Sequence, residues 1–150
     1  MNRIYLDDIR TPLEDNWIVV RNMSEFVGKI QEIGLENISY ISLDHDLDKS
    51  AMDEYFKNVH KNYTIDYSKI VEPTGMDCVK WIVQHFYDKN PKRVKMSRFD
   101  KRSYPIKFPE VVVHSHNPIG SGNMMGYINN FYKNEAQEEV CVKVKIPYKD

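Results

Sequence analysis

Short apolar runs that end abruptly in charge alternate along the chain with longer stretches in which apolar residues recur every three or four positions. Ile4-Tyr5-Leu6 runs directly into Asp7-Asp8 and reads as a strand carrying two carboxylates at its end. After a polar turn with Thr11, Pro12 and Asn16, Trp17 to Val20 forms a second continuous run, which suits a strand covered on both faces. Ser24 then caps a helix with Phe26, Val27, Ile30 and Ile33 at helical spacing and Gly34 as its stop. Ile38 to Leu43 is a third strand, ending in Asp44-His45-Asp46.

Pro73 and Gly75 open a second amphipathic helix whose stripe is Met76, Val79, Ile82, Val83 and Phe86, closed by Asn90-Pro91. Val111 to Val113 is a fourth strand, ending at His114-Ser115-His116. The turn Asn117 to Gly122 leads into a third helix with Met125, Ile128, Phe131 and Tyr132. From Val140 to Ile146, aliphatic residues alternate with Cys141, Lys143 and Lys145, the period of an edge strand with one wetter face. Strands alternating with helices predict an α/β fold: a single three-layer domain over residues 1–150 with a mostly parallel, five-stranded sheet and helices on both sides. Two segments, about 48–72 and 92–109, break the pattern and are expected as surface insertions.

A chain of 150 residues suits one domain of ordinary size. Hydrophobic residues at 41%, charged residues at 29% and a mean hydropathy of -0.59 place it among folding globular chains. Lys+Arg 21 against Asp+Glu 22 gives a net charge of -1, so any attraction to phosphate must be local. Cys78 and Cys141 have no metal-type spacing, no leader pattern opens the chain, and no run approaches the roughly 20 apolar residues of a membrane span. A reduced, intracellular protein without membrane contact is expected.

Three strand ends deliver chemistry: Asp7 and Asp8, then Asp44 to Asp46, then His114 to His116. Ligands of open α/β sheets bind outside the carboxyl ends of the strands. Clustered carboxylates repel one another, and a hard divalent cation, Mg²⁺ or Mn²⁺, is the simplest neutraliser. Asp7, Asp8, Asp44 and Asp46 are the expected metal ligands. His114 and His116 share a direction in extended chain and are expected to flank one scissile group as proton carriers. His45 alternates in direction with its neighbouring carboxylates. The turn from Asn117 through Gly120 and Ser121 combines small residues with a helix start, where free N–H groups favour an anion. The stretch Lys92 to Arg102 is dense in cations interleaved with aromatics and is expected to contact a nucleotide or RNA end.

Leu6-Asp7-Asp8-Ile9-Arg10-Thr11-Pro12, Leu43-Asp44-His45-Asp46-Leu47, Thr74-Gly75-Met76-Asp77 and Val113-His114-Ser115-His116-Asn117-Pro118-Ile119-Gly120 together resemble the cyclic-phosphate-processing receiver-like domain family of bacteria and tailed phages. The resemblance implies a flavodoxin-like sheet in a bacterial or phage-infected cytoplasm, Mg²⁺ on Asp7 and Asp8, and Asp44 at the receiver phosphoacceptor position. It also implies Arg10 on a phosphate oxygen, and His45, Asp46, His114 and Ser115 as the family's added polar positions. Two departures from receivers stand out: no helix separates the first two strands, and the receiver lysine is matched only by Lys145-Ile146-Pro147.

The leading expectation is a metal-assisted phosphoesterase that opens a cyclic phosphate, either a terminal 2′,3′-cyclic phosphate on RNA or a cyclic nucleotide signal, in RNA repair or phage–host conflict. Its catalytic residues are His114, His45, Asp44 and His116, and its substrate contacts Arg10, Ser115, Asn117, Gly120 and Ser121. The alternatives are a module that binds a nucleotide or RNA end without turnover, a receiver-like signalling domain, and a structural α/β protein with solvated strand ends.

Overall fold

A computed structural model describes residues 1–47, 64–69, 72–90, 106–135 and 137–149. The expected basic stretch Lys92 to Arg102, His60 and most of both insertions lie outside the described residues.

Four strands form one parallel sheet: β1 (Asn2–Leu6), β2 (Ile18–Val20), β3 (Ile38–Leu43) and β4 (Glu110–Val113), in the order β2-β1-β3-β4. Helix α1 (Met23–Ile33) follows β2, α2 (Gly75–Lys89) joins β3 to β4, and α3 (Pro118–Asn134) follows β4. The parallel α/β sheet of the receiver-like type is thus present. The expected fifth strand is reduced to one parallel bridge, Val113 to Lys143, flanked by hydrogen bonds from Val113 N to Val142 O and from Val144 N to Val113 O. There no alternating face is kept: Cys141 is buried and Val140 and Val142 are exposed, whereas Val144 and Ile146 are half-buried and Lys143 and Lys145 exposed.

Register explains the faces. Ile4, Leu6, Ile41, Leu43, Val111 and Val113 point to one side and enter the core with Phe26, Ile30, Ile82, Phe86, Met124 and Ile128 from the three helices. α1 packs on α2 and α2 on α3, so the described helices form one layer, and the three-layer arrangement becomes two layers among the described residues. The opposite side carries Arg3, Tyr5, Tyr40, Ser42 and His114. Trp17 packs edge-on against Tyr5 and Tyr40, and the Arg3 guanidinium lies 4.0 Å from the Trp17 ring centre.

Asn22, not Ser24, caps α1: its side chain accepts the Glu25 amide at 2.9 Å. Thr74 and Asp77 cap α2 reciprocally as a capping box. Parallel strands are normally joined by a helix, yet residues 7–17 link β1 to β2 without one. Arg21 holds this link, donating to the carbonyls of Asp7 (3.2 Å) and Arg10 (2.6 Å) and to Thr11 Oγ1 (2.6 Å). The C-terminal segment pins it from outside through Leu13 N to Pro147 O and Lys149 N to Thr11 O. No helix of the described residues is long and apolar enough to cross a membrane.

Candidate functional site

In this strand order the direction of connection reverses between β1 and β3, the position at which open α/β sheets form their ligand crevice, beyond the carboxyl ends of the strands. Asp7 leaves β1 and Asp44 leaves β3 at that point, and the Asp44 amide donates to Leu6 O at 2.9 Å. One oxygen from each of Asp7, Asp8 and Asp44 lies within 4.8 Å of the others, close enough for one cation to be shared. Asp46, expected as a fourth ligand, lies outside this group.

Asp7 is 1% exposed and takes four hydrogen bonds. Oδ1 accepts the amides of Ile9 (3.0 Å) and Arg10 (2.8 Å), and Oδ2 accepts Arg10 Nε (2.7 Å) and His114 Nε2 (3.1 Å). Burial opposes its charge, but the bonds from His114, Arg10 and Ile9 outweigh burial and hold the carboxyl below its ordinary range. For Asp44 the balance reverses. Burial, then the nearby Asp7 charge, push it up to about 6 against the pull of His114 and Arg10. Asp8 is raised by the same two causes. The Arg10 guanidinium bridges the pair, with Nη2 3.4 Å from Asp44 Oδ2. Three carboxylates thus face one guanidinium.

His114 is buried, stacked on Tyr5 at 4.3 Å between ring centres. Nε2 carries a proton to Asp7, and Nδ1 shares a hydrogen bond of 2.7 Å with the Ser42 hydroxyl. Both nitrogens are therefore engaged, and the ring fixes Asp7 instead of facing the crevice. The Tyr5 hydroxyl beneath is kept protonated by burial and by Asp7, well above the usual phenol range. His116, expected to flank the same group, is exposed where His114 is buried. Partial desolvation and the positive charges of Arg10 and Lys143 lower its pKa, leaving a neutral imidazole at neutral pH.

His45 belongs to a second constellation, because the chain leaves β3 at Leu43 and strand alternation no longer applies. Its amide donates to Asp44 Oδ1 (2.8 Å), and its ring is fully buried. Nδ1 donates to Asp46 Oδ1 (2.7 Å), and Nε2 accepts from the Tyr67 hydroxyl (3.0 Å). Asn117 Nδ2 also donates to Asp46 Oδ1, at 3.2 Å. The ring fits against Gly120, where a Cβ would run into it. Gly120→Ala is accordingly expected to displace His45 and to destabilise the fold by about 1–3 kcal/mol, read as a lower urea midpoint. At α2, Gly75 is required for the same reason: a side chain there would meet the Asp44 carbonyl oxygen.

The residues expected to cradle an anion serve the chain itself. Ser115 Oγ accepts the Asn117 amide (3.1 Å), Asn117 Oδ1 accepts the Gly120 amide (2.9 Å), and Ser121 Oγ donates to Ser115 O (3.3 Å). They cap and anchor α3, and the expected loop is its first turn. Arg21, Ser42 and Tyr67 escaped the sequence reading. An arginine directly after the buried run Ile18–Val20 was the one available signal.

The model of the cyclic-phosphate processing receiver domain family matches residues 2–130, which contain every carboxylate and histidine of the site. The chain belongs to that family. No curated protein and no solved structure matches it. In this cyclic-phosphate processing receiver domain, then, the switch point carries a cluster of three carboxylates, and the buried rings of His114 and His45 are held by Asp7 and Asp46.

Proposed function

We propose that the protein is a metal-assisted phosphoesterase that opens a cyclic phosphate on a nucleotide or RNA end. The observation that carries this reading is the excess of negative charge at the crevice: Asp7, Asp8 and Asp44 gather around one guanidinium, and two of the three carboxyls are raised. An all-oxygen donor set with uncompensated charge fits Mg²⁺ or Mn²⁺. Asp7, Asp8 and Asp44 would hold the ion, which supplies charge neutralisation and orientation for a phosphate.

The chain's own groups do the rest. Arg10, always charged and already reaching Asp44, is placed to pair a phosphate oxygen. His114 is a positioning residue that holds Asp7 through Nε2. Proton transfer to or from water falls to exposed groups at the mouth, and His116, neutral at neutral pH, has the charge state for it. A product with one free hydroxyl and a phosphate monoester results from water adding to phosphorus as one ester oxygen leaves.

A second reading is favoured by one observation: both ring nitrogens of His45 and of His114 are bonded within the protein. A module that binds a cyclic phosphate without turning it over would have this arrangement. Incubating the protein with nucleoside 2′,3′-cyclic phosphates and Mg²⁺ separates the two. A monophosphate that forms with Mg²⁺ and not with EDTA supports the esterase. Tight calorimetric binding of a ligand that stays intact overturns it in favour of the binding module.

A further inference from the structure

A groove of about 850 Å³ opens where α2 and α3 meet Tyr67, lined among others by Tyr67, Met76, Lys80, Trp81, Asn123 and Tyr127. Its size is that of a small-molecule site. A second cavity, of about 740 Å³, lies by Ile38 and Glu110, where β3 and β4 begin, at the end of the sheet away from the carboxylates. The first groove is tied to the site by one residue. The His45 amide donates to Asp44 Oδ1 and its Nε2 accepts from the Tyr67 hydroxyl, and the Gly75 amide, between the groove residues Thr74 and Met76, donates to His45 O at 2.8 Å.

We infer that this groove holds the base of the nucleotide whose cyclic phosphate sits at the carboxylates; the inference rests on the function proposed above and names its substrate class. Three properties of the groove select a nucleobase. Its walls are aromatic and thioether surfaces, which suit a flat ring. Trp81 is already fixed, stacked on His85 at 4.6 Å and met edge-on by Phe26 at 6.2 Å, so little freedom is lost when a ligand arrives. Second, its rim carries Glu72 and Asp77 as well as Lys80, a mixture that gives a further phosphate no net attraction but admits a neutral ring. Third, a directional polar group stands ready. Asn123 spends an N–H on Tyr67 (3.0 Å), which in turn donates to His45, and the Asn123 amide oxygen remains an acceptor for a base edge.

The chain Asn123, Tyr67, His45, Asp44 therefore links the groove wall to the carboxylates through hydrogen bonds of 3.0, 3.0 and 2.8 Å. It holds the two halves of the site in a fixed relation, as a ligand with a phosphate at one end and a base at the other requires.

The test compares calorimetric binding of adenosine 2′,3′-cyclic phosphate with that of ribose 2′,3′-cyclic phosphate, which lacks the base, in the native protein and in Tyr127→Ala. Tyr127 is exposed on α3, so the fold is expected to survive its loss; unchanged circular dichroism melting checks this. Stacking on aromatic walls predicts that the nucleotide binds roughly five- to a hundredfold tighter than the base-free ligand. Tyr127→Ala should shrink that ratio while leaving the base-free affinity unchanged. An oligoribonucleotide ending in the same cyclic phosphate, run alongside, distinguishes a free nucleotide from an RNA end. Equal affinity for the two small ligands, or a ratio untouched by Tyr127→Ala and by Trp81→Leu, overturns the base site. Base-independent hydrolysis overturns the groove and leaves the esterase standing, whereas base-dependent binding without hydrolysis does the opposite.

Discussion

Asp7→Ala is expected to destabilise the protein by about 3–5 kcal/mol, the summed cost of leaving four donors at an enclosed site without their acceptor at roughly 1 kcal/mol each. The wild-type carboxylate is almost fully enclosed and satisfies four donors, two of them backbone amides that shape the link after β1. Without it the Arg10 guanidinium, 16% exposed, keeps only the longer contact to Asp44, and His114 loses its bond at Nε2. The two amides lose their acceptor in the same step, so the turn that replaces the missing helix comes apart with the charge network. Asp7→Asn serves as the control. Its carbonyl oxygen can still accept the amides, but its NH₂ faces Arg10 Nε and His114 Nε2 as donor against donor. A cost between wild type and alanine follows. Urea unfolding of the three proteins at pH 7 measures this, and an Asp7→Ala loss below about 1 kcal/mol would mean that the network is not holding the fold.

The same residue shows what the sequence disclosed. Asp7, Asp8 and Asp44 were legible because an apolar run that ends in charge marks both a strand and its carboxyl end, and a parallel sheet gathers such ends on one edge. The family motifs, confirmed by the match over residues 2–130, fixed the receiver-like sheet. What stayed hidden follows from side-chain bookkeeping at short range. Ser115, Asn117 and Ser121 have the composition of an anion cradle, yet the same donors and acceptors cap a helix, and only the bonds tell the two apart. His45 could not be aimed by alternation once the backbone left β3 at Leu43. The segment 140–146 has the period of a strand, but period does not say which set faces inward. Cys141 is buried, yet Lys143 and Lys145 of the same set are exposed while Val144 and Ile146 of the other are half-buried, so neither set forms a continuous inward face.

The metal-free protein should lose stability as pH rises from about 4 to about 7, and Asp44 should be the main cause. Its carboxyl is raised from the ordinary 3.8 to about 6 in the folded state by burial and by Asp7, so the folded protein holds that proton more tightly than the unfolded chain. The stabilisation is complete below pH 4 and is lost as pH climbs through 6. At 1.36 kcal/mol per unit this is on the order of 3 kcal/mol. Asp8, raised for the same reasons, adds to the loss. Asp7 has the opposite sign, because its lowered carboxyl contributes above the ordinary carboxylate range and fades only in stronger acid. Asp44→Asn removes the titration: in EDTA its melting temperature should exceed that of wild type by roughly 5–10 °C at pH 7.5, with the gap closing at pH 4.5. Mg²⁺ should invert the order. A cation shared by the three carboxylates would lower the Asp44 pKa and bind only the folded chain, so wild type should gain stability with rising Mg²⁺. The asparagine variant, short of one ligand charge, gains less and opens cyclic phosphates more slowly. An identical Mg²⁺ response in both proteins would remove Asp44 from the metal site, and a pH-independent gap in EDTA would remove it as the titrating group.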